Sequence, residues 1–252
     1  MALSIGPSTG WLYANGLTHL GQQQLFLDDS GANAVEFCLG QSLKKTDNRV
    51  ASLLDSHITT NQEYRSLHIP DFNPNEDASA QSFMAKKIAI KRAAYTIVIH
   101  PLKVNGEYPI EYYQMLSDAK GAQIHIAVEN MDKTKQSGVL VEDLEKLTQR
   151  HGLYFVLDVQ HAYEQDFSMS YARDLFNTTR DRLVHFHVSG EVGNCQHCLL
   201  HRARNVKPIV EFLGWAFDLL NGQNCPIVLE GEYRIANDIN KEIDFIQRAV
   251  GF

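Results

Sequence analysis

The chain has 252 residues, 44% hydrophobic and 21% charged, with a formal net charge of −7. This composition supplies a full apolar core and excludes disordered, collagen-like and coiled-coil chains, while the negative balance argues against broad contact with nucleic acid or an anionic membrane surface. No run reaches the roughly 18 apolar residues of a membrane span, the N-terminus lacks the features of a secretory signal, and four cysteines are too few for a disulfide scaffold, so a reduced, cytoplasmic protein is expected.

In chain order, β-rich runs fall at residues 3–6, 34–39, 65–69, 95–100, 123–128, 153–157, 183–188 and 226–230. The run Tyr95-Thr96-Ile97-Val98-Ile99 barely alternates, as expected of a strand covered on both faces. Residues 71–82 read as a long loop after the third strand. Lys86, Lys87, Lys91 and Arg92 read as the solvated side of a helix. Val141, Leu144 and Leu147 fit one helix face. A further helix is expected over residues 206–220, with Pro208 tolerated in its first turn. Ile239, Ile243, Ile246 and Val250 mark a last amphipathic helix. Eight strands alternating with helices, about thirty residues per unit, predict an α/β fold, a (β/α)8 barrel forming a single domain over residues 1–252.

In such a barrel the chemistry sits at the C-terminal ends of the strands. Those ends carry His68, His100, Glu129, Asp158, His187 and Glu230 in turn. Imidazole and carboxylate bind divalent metals, and clustered carboxylates repel one another unless a cation neutralises them. The expected cofactor is therefore a divalent metal, Zn, Mn, Fe or Co. Each residue has an ordinary alternative: Asp158 as a helix N-cap, Glu36 as an interior ion-pair partner, His68 as a satisfied polar group. Only one of His185 and His187 is expected to reach the site, and His187 lies nearer the strand end. His125 is expected to be structural.

At these residues the chain resembles the xylose isomerase-like TIM-barrel superfamily, which holds sugar isomerases, sugar epimerases and apurinic endonucleases of the endonuclease IV type. The resemblance rests on His68-Ile69-Pro70, His100-Pro101, Glu129-Asn130, Asp158 with His161, His187-Val188-Ser189 and Leu229-Glu230-Gly231-Glu232. It implies a shared metal centre on Glu129, Asp158, His187 and Glu230. The endonuclease branch implies further metal ligands at His68, His100 and His161, giving one to three ions. That branch also has an Asp-x-His pair, matched here by Cys195-Gln196-His197 with Cys in place of Asp. Met131 stands where the xylose isomerases carry a lysine. The epimerase branch implies substrate contacts from His161 and from an arginine, Arg202 or Arg204; Glu36 is a further substrate-binding candidate. Cys195 and Cys198 with a nearby histidine are also compatible with structural zinc.

Two enzymatic readings follow. The first is a sugar or sugar-phosphate isomerase or epimerase, with Glu129 and Glu230 exchanging a proton and His161 positioning a hydroxyl. The second is a multinuclear phosphoester hydrolase, motivated by the surplus of histidines and directed at a small phosphodiester rather than DNA. A metal-bearing binding protein without turnover is the third. The expected partner is a small molecule, a sugar or a phosphorylated compound. Neither a membrane nor nucleic acid is expected, and self-association is compatible with the sequence.

Overall fold

A computed structural model describes residues 3–17, 19–40, 42–56, 61–117 and 124–251. Eight parallel strands form one sheet: β1 (Ile5–Pro7), β2 (Ala34–Cys38), β3 (Tyr64–His68), β4 (Thr96–Ile99), β5 (His125–Glu129), β6 (Tyr154–Asp158), β7 (Leu183–Val188) and, after the two-stranded antiparallel hairpin β8 (Gly190–Val192) and β9 (Cys195–Cys198), β10 (Ile227–Leu229). The sheet runs β1-β10-β7-β6-β5-β4-β3-β2. All eight expected strands form, each close to its expected bounds; Gln123, in the fifth expected run, lies outside the described residues.

The barrel is nearly closed. Its seam between β1 and β2 has one parallel bridge, Ser8 to Glu36. Side chains complete it: Asn33 Oδ1 accepts from the Ile5 N–H at 2.7 Å, and Thr9 Oγ1 accepts from the Cys38 N–H at 2.9 Å. Gly6 permits this approach, because a Cβ there would lie 1.7 Å from the Ala34 carbonyl oxygen.

Helices cover the outside: α1 (Gly10–Ala14), α2 (Leu20–Asp28), α3 (Asn48–Asp55), α4 (Ala78–Arg92), α5 (Ile110–Ser117), α6 (Val141–Glu145, continued by a π-turn over Lys146–Arg150), α7 (Val159–Gln165), α8 (Ser170–Thr179), α9 (Val206–Leu220) and α10 (Ala236–Val250). The period of two along each strand sorts the side chains. Outward positions such as Val35, Phe37, Ile97, Ile99, Val128, Leu157, Phe186 and Leu229 join the main core between sheet and helices. Inward, the only clustered aliphatics among the described residues are Val98, Ala127 and Val156. The remaining inward space is polar.

Two sequence expectations need correction here. Residues 78–82 are helical rather than loop, because the Asp77 side chain accepts from the Ser79 N–H at 2.8 Å and starts α4 there. Arg92 is buried instead of solvated, with donations of 2.7 Å to the Leu53 and Ser56 carbonyls. No helix among the described residues is long and apolar enough to cross a membrane.

Candidate metal centre

The inward side chains at the strand ends converge. Glu129, buried at the end of β5, is their hub. Its Oε2 lies 3.1 Å from His68 Nε2 and 3.7 Å from His100 Nε2. Its Oε1 lies 3.0 Å from His187 Nδ1 and 3.8 Å from His161 Nδ1. Glu230 Oε1 stands 3.5 Å from the same His187 nitrogen. Besides a deeper group of Glu36, His185 and His187, two groups result at the strand ends, each with ligand atoms within 4.8 Å of one another: His68, His100 and Glu129; and Glu129, Asp158, His187 and Glu230. They share Glu129.

Asp158 takes the capping role considered for it with one oxygen and keeps the other free of it. One carboxylate oxygen caps α7, accepting from the His161 N–H at 2.7 Å. The other, Oδ2, is buried without a hydrogen-bond partner. An anionic oxygen is costly to leave so; a cation among these donors would satisfy it. The oxygen and imidazole donors suit a divalent ion of the zinc, manganese, iron or cobalt type.

The residues of the site are themselves held. Asn130 donates from Nδ2 to the Asp158 carbonyl and accepts from the Asp158 N–H at Oδ1, both at 2.8 Å. His100 Nδ1 lies 2.6 Å from Asp71 Oδ1, which orients the ring so that Nε2 faces Glu129. His161 Nδ1 lies 3.0 Å from the Asn130 carbonyl.

Electrostatics follow from crowding. Burial opposes protonating His68, but its hydrogen bond to Glu129 and the charges of Glu36 and Glu129 outweigh burial and lift it to about 9. His161 is likewise lifted to about 9, against burial, by Asp158 and Glu129. His187 is raised by Glu230, Glu36 and Glu129, again against burial. Burial pushes Glu230 up to about 8, with Glu129, Asp158 and Glu36 adding to it and His187 opposing. Burial would raise Glu129 too, yet His187 and His68 hold it well below the ordinary range. Without metal, protons on imidazoles and on Glu230 balance the carboxylates.

Several expected residues sit elsewhere. His161 and His197 flank the two ligand groups without joining them. Their rings are 6.1 Å apart, and Trp11 lies 5.9 Å from the His197 ring. His197 stands on β9, in the β8–β9 hairpin. Cys195 Sγ faces Glu232 Oε1 at 3.7 Å, and no group of metal-ligating residues among those described includes either Cys195 or Cys198. Glu36 is a correction: it is fully buried, receives a hydrogen bond from Ser66 at 2.9 Å, lies 3.2 Å from His187 Nε2, and so does not meet substrate. Arg202 pairs with Asp238 at 3.1 Å and Arg204 with Glu191 at 2.9 Å. His185 and His187 both point inward, as residues two apart on a strand must; depth, not face, separates them. His125 stacks on Tyr154 with ring centroids 3.9 Å apart, away from the site. Asp71 and the interior partners Tyr64, Ser66 and Thr96 were not anticipated, although counting back by twos from His68 reaches Ser66 and Tyr64.

Comparison with solved structures agrees with this architecture. A D-tagatose 3-epimerase-like protein matches at 15% identity over 98% of this chain and 97% of its own, with a TM-score of 0.65. An endonuclease IV from Thermus thermophilus matches at 13% identity over 98% of both chains, with a TM-score of 0.64. The fold these structures share with this chain is the (β/α)8 TIM barrel. A xylose isomerase domain containing protein from Salmonella typhimurium matches at 16% identity over 99% of both chains, with a TM-score of 0.65. No family model matches the sequence, and no curated protein does.

Proposed function

We propose that the protein is a divalent-metal-dependent phosphoester hydrolase acting on a small phosphodiester. The observation that carries this reading is the pair of ligand groups joined through Glu129. A proton-transferring isomerase needs one metal and leaves His68 and His100 without a task. Divalent ions held by these two groups would supply charge neutralisation at phosphorus and a more acidic water, the chemistry that phosphoester hydrolysis needs. Glu129, Asp158, His187, Glu230, His68 and His100 would hold them.

The chain's own groups shape the rest. His161 and His197 stand beside the ligand groups and offer ring nitrogens to the phosphate oxygens. Trp11, beside His197, offers an apolar surface to the alcohol side of the ester. Next to His68 and His100 is a cavity of about 330 Å³ lined by Cys38, Gly40, Ile69, Pro70 and Asp71, a size suited to one arm of a small molecule. Asp71 at its edge and the charge of −7 disfavour a long polyanion. Hydrolysis adds water to phosphorus, breaks one ester P–O bond and releases the alcohol with a proton from solvent. The four free thiols fit a reducing, cytoplasmic site of action.

Elemental analysis per chain, paired with a screen of small phosphodiesters, tests the reading. Two ions and turnover support it. A single ion after full loading, with no phosphodiester turned over, overturns it. That outcome favours the second reading, a sugar or sugar-phosphate isomerase or epimerase using Glu129 and Glu230, which stand 3.0 and 3.5 Å from one nitrogen of His187. Solvent deuterium entering substrate carbon would then be expected.

A further inference from the structure

Below the ligand groups the barrel is filled by a column of polar side chains. His187 turns Nδ1 toward Glu129 and Glu230, and its other nitrogen, Nε2, toward the barrel floor. There Nε2 lies 3.2 Å from Glu36 Oε2 and 3.0 Å from His185 Nε2. His185 Nδ1 lies 2.7 Å from the Tyr64 hydroxyl oxygen. That hydroxyl reaches Thr96 Oγ1 at 3.2 Å. Glu36, His185 and His187 are fully buried, so each hydrogen on the column must find a partner inside it.

Each neutral imidazole carries one ring hydrogen, and the hydrogen bond at one nitrogen decides which. The column therefore runs in one of two directions. In the first, His187 carries hydrogen on Nε2 and donates it to Glu36 and His185 Nε2. His185 then carries hydrogen on Nδ1 and donates it to the Tyr64 oxygen, and Tyr64 donates to Thr96. Each donor from His187 through Tyr64 meets an acceptor, and His187 Nδ1 is left with a lone pair aimed at the ligand groups. In the reverse direction Tyr64 donates to His185 Nδ1, and His185 donates from Nε2 to His187. His187 would then carry its hydrogen on Nδ1, between Glu129 and Glu230, where it could not be a ligand.

We infer that His185 and Tyr64 are positioning residues that hold His187 in the tautomer exposing Nδ1 as a ligand. The inference rests on the reading of the ligand groups as a metal centre and is independent of the reaction performed there. Partners of a ligating histidine commonly change metal affinity by about 10–100-fold when lost. Tyr64→Phe removes the partner that orders His185 Nδ1, so His185 no longer reinforces the His187 Nε2–H that Glu36 accepts.

The test is zinc affinity by chelator competition on the full chain, wild type against Tyr64→Phe and His185→Leu, with folding checked by thermal melting. Both variants should bind zinc about tenfold more weakly or worse. Affinity equal to wild type in a folded Tyr64→Phe variant overturns the inference. A second measurement needs no variant: ¹⁵N–¹H correlation of the ring nitrogens in the zinc-loaded wild type. Hydrogen on His185 Nδ1 and His187 Nε2 is expected, and hydrogen on His185 Nε2 overturns the inference. Failure of the wild type to bind zinc would instead sink the metal-centre reading itself, so the two failures are distinguishable.

Discussion

Glu129→Gln keeps the shape of the hub and removes its charge. In the metal-free protein four imidazoles face this carboxylate, at 3.0, 3.1, 3.7 and 3.8 Å. His187 and His68, the nearest two, are both held protonated at neutral pH. A hydrogen bond to a charged group contributes about 1.5–3 kcal/mol. Glutamine keeps one acceptor oxygen, so one of the two close contacts survives in weakened form and the other becomes N–H facing an imidazole. Removing one partner of a buried ion pair costs about 3–5 kcal/mol, and the two routes to the figure overlap. In a chain of this size each kcal/mol moves the melting temperature by roughly 2–4 °C, so the variant should melt roughly 6–20 °C lower. Calorimetry in the presence of chelator measures this directly. After metal loading, the same variant should hold fewer ions per chain than wild type. A metal-free melting temperature within about 2 °C of wild type would refute the charge-pairing argument, since repulsion relieved at Glu230 and Asp158 would then have cancelled it.

Stability of the metal-free protein should fall with rising pH. His68 and His161 are lifted from 6.5 to about 9, and Glu230 from 4.5 to about 8. A raised folded value gives stability that is complete below the unfolded value and lost as pH climbs through the folded one. The histidine share should therefore fade between 6.5 and about 9 and the Glu230 share between 4.5 and about 8. Metal competes with the same protons, so its affinity should rise across that window; a flat affinity profile would count against the protonation states given above. Gly6→Ala should cost about 3 kcal/mol or more, because its Cβ would meet the rigid Ala34 backbone at 1.7 Å; urea denaturation matching wild type would contradict the seam geometry. Arg92→Ala should cost about 3 kcal/mol through two lost charge-assisted hydrogen bonds, and a loss under about 0.5 kcal/mol would return Arg92 to the solvated role that the sequence suggested.

The barrel was legible because its outward rows are aliphatic. Ile97, Ile99, Val128 and Leu157 announce buried strands wherever they occur, and the His, Asp or Glu that ends each run marks the mouth. The β8–β9 hairpin was not legible: Gly190-Glu191-Val192 and Cys195-Gln196-His197-Cys198 show no apolar alternation, since the hairpin lies outside the sheet and buries little. Arg92 misled because a guanidinium in a basic stretch looks like its neighbours; two carbonyl acceptors at the end of α3 make the difference, and those are remote in sequence. Asp71 belongs to a polar loop in which any carboxylate could serve, and only its 2.6 Å approach to His100 singles it out.

Asn130 has a consequence for how the centre withstands heat. Its side-chain amide is chemically a peptide group, and by pairing both ways with the Asp158 backbone it adds one rung to the β5–β6 ladder beyond the last paired residues, Glu129 and Val156. Glu129 and Asp158 are thereby clamped into a common rigid frame. Surrounding loops can fluctuate without changing the gap between these two donors, and a cation arriving there meets a jaw already set to width.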